Sequence, residues 1–386
     1  MKVVVLGRGL PDSHSSYGKF EYEHALSLAS LGHDVGYYFA DNRSIKYIKE
    51  VKRYNEKDGK VNIRGVVLPI GGLPYNLFAV LKTRLLISLF SQLSSSSAKP
   101  DVVYAHFPCI TLTREFIEYL GKKGIPLVCL EHWTKVQNKS IDGHRKSLLE
   151  AAKKRSAAFC CVSQDLAKSV SELVGCNERE IVLIPNMVSS DSFYYDQSKD
   201  ARSKQRCDAR FVWAGRVEKN KSVDLIVKAI SLLTFEAHLD IIGTGADIGR
   251  IKRLAHELNV EDNVTFLGWK SPDEVGEIYR TEDCFVSASA DETFCVPFAE
   301  AWMCGLPCVG SSNNPLRKMF DSRNGVLFER GDAASLASSL EYVWQHIGQF
   351  DPEVISTWAT ELFSTDSVVK KVESTLVEAT SGMKMR

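Results

Sequence analysis

The chain has 386 residues, 44% of them hydrophobic, with 48 Lys and Arg balanced by 48 Asp and Glu. This length supports two domains. A formal net charge of zero excludes a chain that is polycationic overall and built for nucleic acid.

The charge is unevenly spread. Residues 1–195 carry 26 basic and 19 acidic side chains and the remainder 22 and 29, so a +7 half precedes a −7 half. Such a split suits two domains with different partners, and an anionic membrane surface would attract the basic half. Two domains that merely attract each other would show the same split. The ten cysteines form no Cys-x-x-Cys pair, and most sit in apolar runs such as Phe159-Cys-Cys-Val162. They are expected to be buried free thiols in a reducing compartment. Met1 leads straight into an apolar run and a glycine loop, and no apolar run is long enough to cross a bilayer. A cytoplasmic location is therefore expected, with peripheral contact at the inner face of the membrane as an option.

Lys2 to Leu6 is apolar and β-branched and closes at Gly7-Arg8-Gly9. It predicts a buried parallel strand ending in a glycine turn. After a polar loop from Pro11 to Gly18, Phe20 to Leu31 reads as a helix and Asp34 to Ala40 as a second strand, which makes a βαβ unit. The turn lacks the third glycine of a dinucleotide fingerprint, which argues against a nicotinamide dehydrogenase. Residues 41–75 carry no pattern. Asn76 to Leu93 is apolar with Lys82 and Arg84 in its middle. It reads as a buried helix with two charges at its edge, or as a helix lying on a membrane surface.

After a polar break at Ser94–Ser97, Asp101 to Ala105 predicts a strand, and a helix follows to about Lys123. The strand from Pro126 to Leu130 delivers Glu131-His132-Trp133 at its carboxyl end. Open α/β sheets bind ligands at that end of their strands, so His132 is placed to meet one, although a lone histidine is also read as structural. Strands at Ala157–Val162 and Ile181–Ile184 flank a helix from Gln164 to Val174 that Ser163 caps. Residues 191–208 are polar and aperiodic and are read as a linker.

The strand-helix alternation restarts at Arg210–Ala214, followed by Gly215-Arg216. Helices are predicted at Val223–Leu233 and Ile248–Leu258. Strands are predicted at His238–Ile242, closed by Gly243, and at Val264–Leu267, before the loop Gly268-Trp269-Lys270. Cys284–Ser287 is a further strand, and Ser356–Ala379 reads as one long helix. Arg216 and Lys221 are either cations of a solvated turn or a clamp for phosphate.

Glu292 and Glu300 are eight positions apart. On one helix they would lie ~12 Å apart along its axis. Pro297 instead favours a helix start nearby, and Gly305-Leu306-Pro307 marks its stop. Glu292 then lies in the preceding loop and Glu300 in the first turns, so both can face one pocket. The free amides near Phe294, Cys295 and Val296 suit phosphate, and the carboxylates suit hydroxyls. A phosphate-and-sugar ligand, a nucleotide sugar, fits that set. An amphipathic helix with solvated acids is the competing reading.

The order Glu-x7-Glu followed by Ala-x-x-Cys-Gly-x-Pro resembles the donor-site motif of retaining glycosyltransferases of the GT-B fold, glycosyltransferase family 4 in particular. Gly215-Arg216-x4-Lys221 followed by Val-Asp is similar to that family's phosphate clamp, and Val-Ser-x-x-Leu-Ala and Ile-Pro-Asn recur in its first domain. The resemblance implies an α/β architecture of two Rossmann-like domains facing across a cleft, with the C-terminal helix crossing back to the first. Residues 1–195, with about 365–386, would form the acceptor-side domain, and 205–364 the donor domain.

It implies a retaining, metal-independent hexosyltransferase in surface polysaccharide or lipopolysaccharide synthesis. The donor would be a UDP-sugar first and a GDP-sugar next, the acceptor a glycan or a lipid-linked sugar, with no cofactor and no nucleic acid. Arg216 and Lys221 would neutralise the leaving diphosphate. Glu300 would bind ribose, and Glu292 the donor sugar near its anomeric centre. The amides of Phe294, Cys295 and Val296 would hold phosphate or sugar. Gly215, Gly243 and Trp269 would complete the donor site, with His132 against the sugar and the loop of Gly9 and Gly18 near phosphate and acceptor. Cys295 stands where the family carries glycine, a strained choice if φ is positive there. Ser311–Arg317 replaces a Gly-Gly-x-x-Glu segment, and Met187 replaces a glycine. A GT-B epimerase and a non-catalytic GT-B scaffold are the rival readings.

Overall fold

The computed structural model describes residues 1–386 apart from 12–16, 45, 49, 92–98, 200–206, 290 and 385–386, and apart from the side chains of 199 and 383–384. Residues 12–16 of the expected polar loop, the last two residues of the expected Asn76–Leu93 helix, the polar break at Ser94–Ser97 and residues 200–206 of the expected linker therefore lie outside the described residues. The chain divides into two compact units. One comprises Met1–Met187 with Val368–Arg386, and the other Val188–Ser367.

The first unit holds β1 (Lys2–Gly7), α1 (Lys19–Ser30), β2 (Asp34–Asp41), β3 (Lys52–Asp58), β4 (Val61–Val67), α2 (Tyr75–Ser91), β5 (Val102–His106), α3 (Pro108–Thr111), α4 (Arg114–Lys122), β6 (Leu127–Glu131), α5 (Thr134–Gln137), α6 (Gly143–Arg155), β7 (Ala158–Cys161), α7 (Gln164–Val174) and β8 (Ile181–Leu183). Its sheet runs β3-β4-β2-β1-β5-β6-β7-β8. Only β3, in its hairpin with β4, is antiparallel. The central strands are buried on both faces, which is why they read as continuous Val, Leu and Ile runs.

The β3–β4 hairpin occupies the stretch 41–75 that carries no sequence pattern. β3, Lys-Arg-Tyr-Asn-Glu-Lys-Asp, is an exposed edge strand rich in charge, a composition that blunts edges and hides strands from a hydrophobicity reading. In α2, Arg84 is exposed as an edge charge should be, but Lys82 is buried at 3% exposure and is not at an edge.

The second unit holds β9 (Ala209–Ala214), α8 (Val223–Ile230), β10 (Ala237–Ile242), α9 (Ile248–Glu257), β11 (Val264–Gly268), α10 (Pro272–Tyr279), β12 (Cys284–Ser287), α11 (Val296–Met303), β13 (Cys308–Ser311), β14 (Gly325–Phe328), α12 (Ala333–Gln345) and α13 (Pro352–Phe363). Its sheet is wholly parallel, in the order β11-β10-β9-β12-β13-β14. Numbered from β9, that is the 3-2-1-4-5-6 order of a doubly wound sheet, whose switch point lies between β9 and β12. In the first unit the switch point lies between β1 and β5.

Two boundaries differ from the sequence reading. Residues 188–195, expected in the first domain, belong to the second unit. Ser192 donates to Asp273 at 2.6 Å, and its carbonyl accepts from Arg280 at 3.1 Å. The long helix expected over Ser356–Ala379 is interrupted. α13 ends at Phe363, and α14 (Thr365–Lys384) starts two residues later. Ser364 has extended backbone at ψ 149. Val188 bridges there, donating to the Phe363 carbonyl at 2.9 Å and accepting from the Thr365 N–H at 3.1 Å. From Val368 on, α14 belongs to the first unit, where Glu373 meets His33 at 2.8 Å.

Candidate active site

The second unit brings Lys221 and Glu292 together. β9 ends at Ala214, and the chain turns through Gly215-Arg216 and a short 3-10 turn at Lys219–Lys221. From there the Lys221 ammonium reaches Glu292 at 2.5 Å. Both side chains are about one-fifth exposed, so the pair is shielded without being sealed. Glu292 comes from the loop after β12. That loop turns into α11 at Cys295, which has φ 66 and ψ 71, the left-handed region that favours glycine. The cysteine is thus strained where the sequence reading anticipated it. The residue is 6% exposed, and its thiol sits in the field of both Glu292 and Lys221.

α11 begins at Val296, with Pro297 in its first turn. Phe298, Ala299, Ala301, Trp302 and Met303 are all buried. Phe298 packs edge-on to Phe285 at 5.2 Å, and the Trp302 indole N–H donates to the Asn324 carbonyl at 3.0 Å. The helix is therefore core on most sides, which excludes an amphipathic helix with solvated acids. Glu300 is its one charged residue and is half-buried. Burial, and then the Glu300 charge, push the Tyr279 hydroxyl well above its usual range.

Glycines stitch the neighbouring strand ends. Gly243 has φ 126, and its N–H donates to Gly268 at 2.7 Å. A Cβ on Gly243 would lie 1.8 Å from the Gly215 carbonyl oxygen. Only glycine permits that approach. The carboxyl ends of β9, β10 and β11 form one continuous rim, on which Trp269 stands 72% exposed. Arg216 is not gathered with Lys221. Its side chain is 78% exposed and pairs with Glu218 at 3.0 Å, a neighbour in the same turn. The Ser311–Arg317 segment leaves β13 as a self-bonded turn in which the Asn314 side chain accepts from the Leu316 N–H at 2.7 Å.

In the first unit, His132 follows β6 and is buried. His132 Nε2 lies 3.0 Å from His106 Nδ1, and the ring stacks on Phe107 at 4.6 Å. Burial holds both imidazoles well below their usual pKa and therefore neutral. Among the described residues no group lies within hydrogen-bond distance of buried His106 Nε2 or His132 Nδ1, although the Asn186 side chain is near enough to His132 to favour its charged form. His24 joins the cluster 4.7 Å from His106. Glu131 accepts from the His132 and Trp133 N–H groups at 2.9 Å each, while burial raises its carboxyl to about 7.

The space beside Gly9 and Gly18 is filled by the chain itself. The Tyr37 hydroxyl donates to the Gly9 carbonyl at 2.5 Å, and a Cβ on Gly18 would lie 2.1 Å from Gly9 O. Beside it, Arg8 makes a forked contact with fully buried Glu21, with Nε to Oε1 at 2.6 Å. The sequence reading gave Arg8 and Asn42 no role and placed Lys82 at the edge of a helix. The legible signal was a lysine inside the apolar run of α2.

All ten cysteines are free, and eight are buried. Among the described residues, no group of three or more His, Cys, Asp or Glu is arranged to hold a metal ion, and no helix is long and apolar enough to cross a membrane.

Two Rossmann-like units with polar strand ends define the class, the GT-B fold. Residues 19–192 match the model for Glycosyltransferase Family 4, and residues 196–346 match the model for Glycosyl transferases group 1. The chain belongs to this glycosyltransferase family. It is 24% identical over 291 residues to N-acetyl-alpha-D-glucosaminyl L-malate synthase of Bacillus anthracis, covering 71% of this chain and 74% of that protein. It is 28% identical to the lipopolysaccharide core biosynthesis glycosyltransferase LpsE of Rhizobium meliloti over 47% of this chain and 52% of that protein. A solved structure of Anabaena HepE in complex with UDP and glucose superposes with a TM-score of 0.69 at 14% identity, over 98% of this chain and 100% of that one.

Proposed function

We propose that this glycosyltransferase moves a hexose from a nucleotide sugar to a glycan, glycolipid or similar acceptor of a surface polysaccharide. The transfer would retain anomeric configuration and need no metal. The observation that carries the reading is the Lys221–Glu292 pair at the β9–β12 switch point, beside the start of α11. A diphosphate arriving there meets an ammonium already held in place, and Arg216 can swing from its exposed pair with Glu218. Together they offer two positive charges to a leaving group that gains negative charge. Glu292, released from Lys221, accepts hydrogen bonds from sugar hydroxyls, and Glu300 does the same for ribose. The C1–O bond to the diphosphate breaks and the bond from the acceptor oxygen to C1 forms on the same face. The acceptor proton passes to the departing phosphate. HepE was captured with UDP and glucose, which supports a UDP-sugar as donor ahead of a GDP-sugar. The reading places the reaction in the cytoplasm, at the inner face of the membrane when the acceptor is lipid-linked.

The test is a thermal-shift series with UDP, GDP and ADP, each with EDTA and with Mg²⁺. It is run on the native chain and on Lys221→Ala and Glu300→Ala, alongside turnover of the matching nucleotide sugar. A ligand at ~100 times its Kd stabilises the folded state by about 2.7 kcal/mol. One nucleotide family should shift the native chain regardless of EDTA, and each substitution should abolish turnover while the fold persists. Undiminished turnover in both variants would overturn the assignment. A shift that vanishes with EDTA would overturn metal independence.

A further inference from the structure

β6 is apolar from Leu127 to Leu130 and ends on an acid, Glu131, which is fully buried. A buried carboxyl persists only where its hydrogen bonds offset the lost water. Oε1 of Glu131 accepts from the N–H of His132 and from the N–H of Trp133, at 2.9 Å each. The carboxyl lies beside the Cys109 thiol and within the field of Cys161 and Arg8.

The two N–H groups belong to successive peptides. One carboxyl oxygen therefore fixes two peptide planes at the carboxyl end of a parallel strand, where open α/β sheets meet their ligands. A planar trans peptide points its N–H and its C=O in opposite directions. With the Trp133 N–H turned onto Glu131, the His132 carbonyl is aimed away from that carboxyl. Among the described residues no hydrogen bond reaches it. The turn is held again on its far side, where the Trp133 carbonyl accepts from the Val136 N–H at 2.9 Å and opens α5.

The His132 ring, by contrast, is occupied by packing. Its Nε2 lies 3.0 Å from His106 Nδ1, and it stacks on His106 at 5.2 Å and on Phe107 at 4.6 Å. Phe107 has φ 50 and ψ 59. A bulky side chain keeps that left-handed backbone only where its surroundings over-determine it. The Arg8 guanidinium, 3.5 Å from the Phe107 ring centroid, is one such constraint. With the ring fixed and the N–H bound, the carbonyl is the polar group that His132 can offer a ligand.

We propose that Glu131 is a positioning residue for sugar transfer: it holds the turn after β6 so that the carbonyl of His132, and not its ring, accepts a hydrogen bond from a hydroxyl of the transferred sugar. Glu131 itself touches no sugar and acts through the backbone of its two neighbours. The proposal rests on the transferase reading and deepens it at His132. Glutamine at 131 keeps an accepting oxygen, whereas leucine, of similar size, has none. The two substitutions thus separate hydrogen bonding from packing.

The experiment compares the full native chain with Glu131→Gln and Glu131→Leu. It reads the hydrolysis of UDP-glucose and of UDP-N-acetylglucosamine, calorimetric titration of UDP, and amide hydrogen exchange. In Glu131→Leu the His132 and Trp133 amides should exchange at least about tenfold faster while β5 and β7 keep native protection. Its kcat should fall by at least about tenfold, with the donor KM and UDP binding little changed, because a misaimed contact costs rate before affinity. Glu131→Gln should restore both the protection and most of the rate. The proposal falls if Glu131→Leu leaves kcat or the two amides unchanged. It also falls if Glu131→Gln keeps the amides protected yet loses as much rate as Glu131→Leu, since the carboxyl would then act by its charge. Should Glu131→Leu lose protection throughout the first unit, Glu131→Gln decides alone. Native protection with near-native kcat upholds the proposal, and a tenfold loss of rate overturns it. A native chain that neither binds UDP nor hydrolyses either donor refutes the transferase reading instead, and the exchange of the two amides still decides whether Glu131 holds the turn.

Discussion

Cys295 offers the sharpest test of the site's geometry. At φ 66 and ψ 71 a residue with a Cβ is strained by roughly 1–2 kcal/mol relative to glycine. Against that, glycine loses about 0.5–1 kcal/mol more backbone freedom on folding than alanine does. At an ordinary helical position Ala therefore beats Gly. At 295 the sign reverses, and Cys295→Gly should be more stable than Cys295→Ala by about 0.5–1 kcal/mol. Both variants should be weaker than the native chain or level with it. Cys295 is 6% exposed, and removing a buried group the size of its thiol costs about 1 kcal/mol. The assay is urea unfolding followed by tryptophan fluorescence. Five of the six tryptophans, Trp213, Trp269, Trp302, Trp344 and Trp358, belong to the second unit and Trp133 to the first, so the signal mainly follows the part that holds Cys295. Because the chain has two units, the Gly and Ala variants are compared in that one transition. An Ala variant more stable than the Gly variant by about 1 kcal/mol would show that the loop before α11 does not take the left-handed turn. The placement of Glu292 opposite Lys221 would fall with it.

Two further outcomes follow from the packing and the charges. Gly243→Ala should disrupt the second unit by more than about 3 kcal/mol and abolish the nucleotide response. It combines φ 126 with a Cβ 1.8 Å from a backbone oxygen, whereas Gly331→Ala, at φ 76 with nothing within 4 Å, should cost about 1–2 kcal/mol; equal costs would refute the close approach. The buried neutral imidazoles of His24, His106 and His132 make the first unit gain stability as pH rises through about 6.5, and on top of that gain Glu131 should contribute a loss between pH 4.5 and 7 and Lys82 a recovery from pH 7 towards 10.5. Burial raises Glu131 from 4.5 to about 7, so its contribution is complete below 4.5 and is lost as pH rises through 7. Burial lowers Lys82 from 10.5 to about 7, so its charge weighs on the fold below 7 and is relieved above it. Each pKa unit is worth about 1.4 kcal/mol, so each limb spans a few kcal/mol. Urea midpoints measured across pH should therefore change their slope relative to the native chain on the acid limb in Glu131→Gln and on the alkaline limb in Lys82→Met. An acid limb unchanged in Glu131→Gln would refute the burial argument.

What was legible in the sequence is what local chemistry dictates. The runs around Val3–Leu6 and Val102–Ala105 read as strands because central parallel strands must be apolar on both faces. The start of α11 was legible because proline tolerates only the first turn. The Glu292–Glu300 spacing and the glycine at 215 were visible as motifs because the ligand chemistry they serve requires fixed residue types at fixed offsets. Other features were decided only by tertiary structure. β3 is a strand because β4 lies beside it, since its own charged sequence carries no apolar period. Ser356–Ala379 is helical in pattern throughout, yet it breaks at Ser364 because Val188, 176 positions away in the chain, takes the backbone bonds there. Lys82 reads as a surface charge on an apolar helix, and only the packing of α2 over the ends of β1, β2 and β5 buries it. The pairing of Lys221 with Glu292 likewise joins residues 71 apart. Sequence reports a residue's propensity and its near neighbours. Burial, counter-charge and forced backbone breaks depend on which distant segments come to rest against it.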